Sequence, residues 1–276
     1  MQDEGQSGRG KEGIMSERTP RKIFDQIAKK YDEIRPGYPE ELIEDIISIS
    51  GIPDEGRILE IGCGTGQATI PFAKRGYYMI CLDISKDMAA LTAKKCQKYP
   101  RVRVYPIPFE EWEPEANSFD LVISATAFHW IPKEIAYPKA ALVLKDSGYL
   151  AVFWNFHPTP YTDFFKAVQK VYQRVVPEWG NPEKERSIED KIRAIENEIN
   201  RSGLFERPIV KQYSWAKEYT ADQYIELLNT YSDHQSLEPK RRKGLFDAVK
   251  ALIEEKYEGK IIRPYLTVLF IAKKLC

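Results

Sequence analysis

An apolar run that ends in three closely spaced glycines constrains the fold of this chain more than any other feature. The run Arg57–Ile61 leads into Gly62, Gly64 and Gly66. Its β-branched residues are typical of a strand buried on both faces, and the amphipathic segment after Gln67 suits a covering helix. Glycines at such a junction let the backbone turn sharply and let a ligand approach main-chain N–H groups. The stretch therefore predicts a strand, a ligand-binding loop and a helix start.

The spacing of the glycines narrows the class of ligand. A dinucleotide site of the dehydrogenase kind has the pattern G-x-G-x-x-G and binds pyrophosphate at the helix N-terminus. Here the glycines alternate with other residues, and position 67 is Gln. Glu60, just before the loop, disfavours a phosphate dianion and favours an ammonium or sulfonium cation. A lone glycine-rich turn does not specify one class of ligand, so the assignment depends on residues of the neighbouring strands.

A second apolar strand, at residues 78–82, ends in the carboxylate of Asp83. Ligands of open α/β sheets bind beyond the C-terminal ends of the strands. A carboxylate there can accept hydrogen bonds from both hydroxyls of a ribose, because it has two oxygens. The alternative role for Asp83, capping the helix that begins near Ser85, is met by Ser85 itself. The acid therefore supports a ligand that contains a nucleoside.

Charge and cysteine usage limit the partners and the compartment. The 41 basic and 41 acidic residues cancel, so no overall charge attracts nucleic acid or an anionic membrane. The four cysteines are scattered without a C-x-x-C pair, and no cluster has metal-ligand spacing. No apolar run reaches the roughly 18 to 20 residues that cross a bilayer. We expect a cytoplasmic protein with a small-molecule substrate and no nucleic-acid, membrane or metal partner, and the oligomeric state stays open.

Five stretches together resemble the class I S-adenosylmethionine-dependent methyltransferases, within the small-molecule group related to trans-aconitate methyltransferase. They are the pattern F-x-x-x-A-x-x-Y-D-x-x-R-P-x-Y-P from Phe24 to Pro39, E-x-G-x-G-x-G from Glu60 to Gly66, Asp83, F-D-L-V from Phe119 to Val122, and A-F-H-W from Ala127 to Trp130. Their joint order is more specific than any one of them, and it covers about residues 21–154. The resemblance implies S-adenosylmethionine as cofactor and a Rossmann-like α/β fold, with helices on both faces of a seven-stranded mixed sheet.

The resemblance also implies which residues bind the cofactor. They are Tyr31, Arg35, Glu60, Gly62, Cys63, Gly64, Gly66, Asp83, Ile84, Met88, Phe109, Glu110 and Ala125. In this family the N-terminal segment folds over the cofactor. The family usually has Asp-Ala-Glu after the third strand, whereas this chain has Pro108-Phe109-Glu110, so an expected acid is missing. Recognition of adenine falls to Phe109 and Glu110, and the alternative is that Phe109 and Met88 only pack in the core.

On the acceptor side, the resemblance implies a catalytic role for His129. A neutral imidazole can act as a general base or as an orienting hydrogen-bond partner, and a purely structural histidine is the remaining alternative. Arg35, Tyr38 and Trp130 are the implied substrate-binding residues. A carboxylate acceptor needs no base, and in that case His129 and Arg35 would orient it.

The pattern along the chain predicts four parts. Residues 1–19 form a polar tail, and 20–154 form the cofactor-binding core with an N-terminal lid. Residues 155–209 form a helical cap inserted after the fifth strand, and 210–276 complete the core with additional helices. The predicted activity is methyl transfer to an oxygen of a small carboxylate or hydroxyl acceptor. The alternatives are a cofactor-binding protein of the same fold without turnover and a nicotinamide-dependent dehydrogenase.

Overall fold

The computed structural model describes residues 32–158, 162–180 and 187–276. Its strands are β1 (Arg57–Ile61), β2 (Tyr78–Leu82), β3 (Val102–Tyr105), β4 (Phe119–Ala125), β5 (Leu144–Phe156), β6 (Ile209–Thr220) and β7 (Lys260–Lys273). They form one seven-stranded sheet in the spatial order β3-β2-β1-β4-β5-β7-β6. Strands β1 to β5 are parallel, and β7 runs antiparallel to both β5 and β6. The predicted mixed sheet is confirmed.

The strand order reverses at the centre of the sheet. From β1 the chain moves outward through β2 and β3, and it then returns to β4 on the other side of β1. Ligands of such sheets bind at this switch point, beyond the C-terminal strand ends. The loop at residues 62–66, Asp83 and the loop at residues 125–130 follow β1, β2 and β4. The topology therefore brings three predicted parts of the site to one edge of the sheet.

Nine helices lie wholly in the described part of the chain. They are α1 (Glu40–Ser50), α2 (Thr69–Lys74), α3 (Lys86–Lys95), α4 (Lys133–Val143), α5 (Asp163–Val175), α6 (Ile188–Ser202), α7 (Ala221–Leu228), α8 (Ser232–Gln235) and α9 (Pro239–Lys256). One face of the sheet packs against α1 and α2 through residues such as Leu42 and Phe72. The opposite face packs against α4 and α6 through residues such as Tyr137 and Ile192. Both faces are covered, as a sheet with apolar parallel strands requires.

The helices after β5 belong to two units, although the sequence predicts a single cap at residues 155–209. Helix α6 packs on the sheet face beside α4. Helix α5 instead joins α7 and α9 in a separate core, which includes Phe164, Tyr224 and Val249. We call α5, α7, α8 and α9 the helical lobe. Each amphipathic helix has to bury its apolar face, and tertiary structure selects the partner irrespective of order along the chain.

Local signals explain the start of the longest helix. The side chain of Glu238 accepts the N–H groups of Lys240 and Arg241, which caps α9. Arg241 also pairs with Glu178, so part of the basic run at residues 240–243 is neutralised. The basic run therefore lies in the first turns of α9. Among the described helices, none is both long and apolar enough to span a membrane.

Strand β5 begins earlier than the sequence suggests. Residues 145–148 look like a turn, but β5 starts at Leu144 and its register against β4 shifts between Phe119 and Leu121. The extra residues are accommodated as an irregularity at the start of a long strand. The far end of β5 reaches Phe156 and pairs with Leu266 of β7. The long strand thus carries side chains from the switch point toward the helical lobe.

Candidate functional site

The glycine loop is closed on one side and open on the other. All three glycines have positive φ, with 71° at Gly62, 54° at Gly64 and 89° at Gly66. A Cβ on Gly62 would lie 2.3 Å from the Cβ of Ala127, so the loops after β1 and β4 are in direct contact there. At Gly64 the nearest atom is Oε1 of Gln67 at 4.0 Å. Packing therefore holds the loop at Gly62 and leaves open space in front of Gly64.

Asp83 ties this loop to the end of β2. Its Oδ2 accepts the N–H of Gly64 at 2.7 Å, and its Oδ1 accepts the N–H of Ser85 at 2.8 Å. The Ser85 hydroxyl in turn accepts the N–H of Met88 and caps α3, as the sequence predicts. These two hydrogen bonds hold the carboxylate of Asp83 at the edge of the loop. Asp83 thus orders the open loop.

Glu60 lies in the core beneath the loop. Its side chain is fully buried, and the Thr69 hydroxyl at the start of α2 donates to Oε2 at 2.6 Å. Oε1 is buried without a hydrogen-bond partner among the described residues. Burial raises the pKa of Glu60 to about 7, against the opposing effect of hydrogen bonds from Thr69 and Cys81. The structure thus places Glu60 behind the loop, where it supports the helix start.

We expect the buried acid to make the stability of the fold depend on pH. The pKa of Glu60 is near its ordinary 4.5 in the unfolded chain and about 7 in the folded one, so the folded state binds more protons between these values. The free energy of unfolding therefore falls as pH rises, by about 3 kcal/mol in total. The Glu60→Gln variant keeps an uncharged group of the same shape and should lack this decline. Urea unfolding at a series of pH values measures this decline in the free energy of unfolding. An equal decline in the wild-type protein and in Glu60→Gln would contradict the assignment of the pH dependence to Glu60.

The N-terminal segment contacts the sheet edge at two places. The hydroxyl of Tyr38 lies 3.0 Å from Oγ1 of Thr126 at the end of β4, and its ring packs edge-on against Phe153. Arg35 instead extends to the helical lobe, where it donates to the carbonyl of Thr230 and stacks over Tyr231 at 4.5 Å. Tyr38 is therefore at the switch point and Arg35 is beyond β5. The predicted contact of Tyr31 and the predicted tail at 1–19 lie outside the described residues.

His129 lies in a short 3-10 turn, Phe128–Trp130, just past β4. The indole N–H of Trp154 donates to Nδ1 of His129 at 3.0 Å, and the imidazole packs beside the Trp130 ring at 5.2 Å between centroids. Burial lowers the pKa of His129, which favours the neutral ring. Because Nδ1 accepts a hydrogen bond, the neutral ring carries its proton on Nε2. His129 thus offers a donor at Nε2, which favours the orienting role over the general base.

The remaining predicted cofactor residues differ in accessibility. Ile84 and Ala125 are half-buried, and Glu110 is exposed. Cys63, Met88 and Phe109 are buried, with Phe109 only 2% exposed and stacked on Trp112. The burial of Phe109 and Met88 matches the alternative in which these side chains pack in the core.

Sequence reasoning missed a hydrogen-bond chain that crosses three strands beside the site. The indole N–H of Trp215 on β6 donates to Oγ1 of Thr267 on β7, and that hydroxyl donates to Oδ1 of Asn155 on β5. Asn155 then donates through Nδ2 to the carbonyl of Gly37. The residues are distant in sequence, and their only local signal is polarity within apolar strands. These hydrogen bonds anchor the N-terminal segment to the sheet.

Comparison with known proteins gives the family. Residues 58–148 match the family model of a methyltransferase domain. A probable S-adenosylmethionine-dependent methyltransferase, CRG1 of Saccharomyces cerevisiae, is 30% identical over 149 residues, which are 52% of this chain and 50% of that protein. Residues 58–148 therefore form a methyltransferase domain of the class I, S-adenosylmethionine-dependent kind. The predicted recognition of the class is confirmed on the segment that holds β1 to β4.

Two further proteins extend the similarity of this methyltransferase domain. A malonyl-[acyl-carrier protein] O-methyltransferase of Paenibacillus is 30% identical over 145 residues, covering 48% of this chain and 51% of that protein. The solved structure of a putative type II methyltransferase from Anaeromyxobacter dehalogenans has a TM-score of 0.59 at 18% identity, and the match covers 87% of this chain and 96% of that chain. The structural likeness confirms the Rossmann-like fold. The chain spans about half the length of the curated relatives that it matches.

Proposed function

We propose that this protein transfers a methyl group from S-adenosylmethionine to an oxygen of a small-molecule acceptor. The observation that carries the proposal is the open space at Gly64 joined to the carboxylate of Asp83, at the switch point of a methyltransferase domain. The O-methyltransferase among its relatives supports oxygen as the acceptor atom. A cytoplasmic location and the absence of nucleic-acid and membrane partners, as expected from composition, belong to the same proposal.

The residues at the switch point fit the cofactor. A side chain at position 64 would fill the open space in front of the loop, and only glycine leaves it free. Asp83 would accept hydrogen bonds from the ribose hydroxyls at the edge of the loop, and the half-buried Ile84 and the exposed Glu110 would contact adenine. The bound cofactor supplies an activated methyl group, because its sulfur is positively charged. Since methyl transfer needs no metal from the protein, the chain's part is to bind, orient and exclude water.

His129 and its neighbours serve the acceptor in this proposal. The Nε2–H of His129 donates a hydrogen bond to the acceptor, because Nδ1 is already held by Trp154. Trp130, which is 48% exposed, and Tyr38, whose hydroxyl lies beside Thr126, provide apolar surface near the end of β4. A donor at this place suits a carboxylate, whose second oxygen stays free to react without a base. His129 therefore positions the acceptor.

A glutamine at position 129 is expected to retain most of the activity. Its side-chain amide can place an N–H near the position of Nε2, so kcat/KM should fall by no more than about fivefold. His129→Ala removes the donor, and its kcat/KM should fall by about tenfold. A general base would contribute roughly 100-fold or more, and glutamine could not replace it. Initial rates of both variants with one acceptor decide between the roles, and a large loss in His129→Gln would overturn the donor assignment.

Two measurements test the proposed function. Isothermal calorimetry with S-adenosylhomocysteine and with NAD tests which cofactor the protein binds, and we expect only the former. Transfer of a labelled methyl group to a panel of small acids and phenols tests turnover. Binding without transfer to any acceptor would favour the cofactor-binding protein, and preferential binding of NAD would favour the dehydrogenase. Binding without transfer would leave the fold assignment intact. Preferential binding of NAD would contradict the assignment of S-adenosylmethionine as cofactor.

A further inference from the structure

One lysine of α3 contacts both the glycine loop and the N-terminal segment. The ammonium of Lys95 donates to the carbonyl of Thr65 at 2.6 Å and to Oδ1 of Asp32 at 2.5 Å. One helical turn earlier, the hydroxyl of Thr92 donates to the carbonyl of Gly64 at 2.8 Å. Residues three apart on a helix lie on the same face. This face of α3 therefore holds two successive carbonyls of the loop, and Lys95 joins Asp32 to them.

Asp32 lies in a segment that crosses the edge of the sheet where the cofactor is proposed to bind. We call residues 32–38 the strap. Asp32 lies beside the loop that follows β1. The carbonyl of Gly37 accepts a hydrogen bond from Asn155 near the end of β5, and the hydroxyl of Tyr38 lies at the end of β4. The strap thus connects the glycine loop with the ends of β4 and β5.

The strap borders the open space in front of Gly64. The side chain of Gln67 flanks that space, since its Oε1 is the atom nearest to a Cβ at position 64. The Nε2 of the same side chain donates to Oδ1 of Asp32 at 3.4 Å and lies 2.7 Å from the hydroxyl of Thr65. One side chain therefore links Asp32 to the space where the cofactor is proposed to lie.

Two contacts of different strength hold the strap. Toward the helical lobe, Ile34 is 6% exposed and packs in the core that contains Phe164 and Tyr224. At the glycine loop, the side chains of the Lys95–Asp32 ion pair are 31% and 23% exposed. Burial of a branched apolar side chain contributes substantially to stability, whereas a partly exposed ion pair contributes little. We therefore expect the strap to open at Asp32 while Ile34 stays in the lobe.

We infer that Lys95 is a positioning residue for the cofactor, because it fastens the strap to the glycine loop through Asp32 and so slows the release of the bound cofactor. The inference rests on the proposed function, since the cofactor has to lie in the space that the strap borders. Segments that close over a ligand often limit its release. Opening of the ion pair frees the strap and also removes a donor from the carbonyl of Thr65. Lys95 thus couples the position of the strap to the order of the loop.

The dissociation rate of S-adenosylhomocysteine tests the inference. Protein loaded with the labelled ligand is mixed with an excess of unlabelled ligand, and the loss of label is followed over time. We expect Lys95→Met and Asp32→Ala each to raise the dissociation rate constant by about tenfold. Because both variants break the same contact, the double variant should show about the same rise as either one. Lys95→Arg keeps the charge and should stay within about threefold of the wild-type rate.

Salt and a neighbouring lysine separate this role from a purely structural one. An ionic strength of about 1 M screens a partly exposed ion pair, so it should speed dissociation from the wild-type protein and leave Lys95→Met nearly unchanged. The matched control is Lys94→Met, at an exposed position in the same last turn of α3. It removes a charge from the same helix end and should keep the wild-type rate.

The outcomes distinguish the role of Lys95 from the proposed function. Failure of the wild-type protein to bind S-adenosylhomocysteine would overturn the proposed function itself. Normal binding with a wild-type dissociation rate in Lys95→Met, or with an equal rise in Lys94→Met, would overturn only the role of Lys95. A rise of about 100-fold in the double variant would show two independent effects and would also overturn it. Urea unfolding checks that each variant is folded, and Asp32→Ala tests the same contact without a change in α3.

Discussion

Replacing Asp83 by asparagine is expected to weaken S-adenosylhomocysteine binding by about 100-fold, the largest effect of any single conservative change in this protein. Both carboxylate oxygens of Asp83 already accept backbone N–H groups, from Gly64 and from Ser85. An amide has only one acceptor oxygen, so its NH2 group would face one of these N–H groups as a second donor. The variant therefore loses order in the glycine loop as well as an acceptor for the ribose.

Asp120→Asn is the matched control for this change. Asp120 also accepts two hydrogen bonds, from the N–H of Arg57 and from the ammonium of Lys145, but it lies at the opposite end of the sheet. Each variant should lose about 1 to 3 kcal/mol of unfolding free energy. Only Asp83→Asn should lose affinity for S-adenosylhomocysteine, as measured by calorimetry. Equal affinities in the two variants would show that Asp83 serves the fold alone.

The second large effect is expected for Gly64→Ala, which should weaken S-adenosylhomocysteine binding by about 30-fold. The new methyl group finds no protein atom closer than 4.0 Å, so within the protein it adds only the strain of a positive φ. That strain costs about 1 to 2 kcal/mol of stability. The methyl group projects into the open space in front of the loop, where the cofactor is proposed to bind. The loss of affinity therefore comes from contact with the ligand.

Gly76→Ala separates the effect of backbone strain from the effect of contact with the ligand. Gly76 has a φ of 85°, and a Cβ there meets nothing within 4 Å, but it lies in the turn between α2 and β2. Thermal or urea unfolding should show similar losses of stability in the two variants. Calorimetry should show normal cofactor affinity only in Gly76→Ala. If Gly64→Ala bound the ligand as tightly as Gly76→Ala does, the cofactor could not lie against the loop.

Much of the central sheet was predictable because its signals are local. The apolar run before Gly62 and the second run before Asp83 each specify a strand and its end, and a parallel sheet brings such ends together. Ser85 was predictable as a helix cap because its hydroxyl acts on the N–H of Met88, three residues away. The helical lobe was not predictable in this way. Helix α5 packs against helix α9, although β6 separates them along the chain. The residues close to either helix in sequence do not specify that pairing.

The roles of several site residues depended on neighbours that are distant in the chain. Glu60 reads as a ligand-facing acid in sequence, but the fold buries it against Thr69. His129 is open to two roles until Trp154 is placed beside its Nδ1.

By itself the sequence determined the alternation of strands and helices, the glycine loop and the strand-end acid, because each depends on a few adjacent residues and on backbone geometry. The tertiary structure alone decided which acid is buried and which nitrogen of His129 carries the proton. These properties depend on the dielectric surroundings and hydrogen-bond partners of each side chain. Residues from distant parts of the chain supply both, and they meet only in the folded protein.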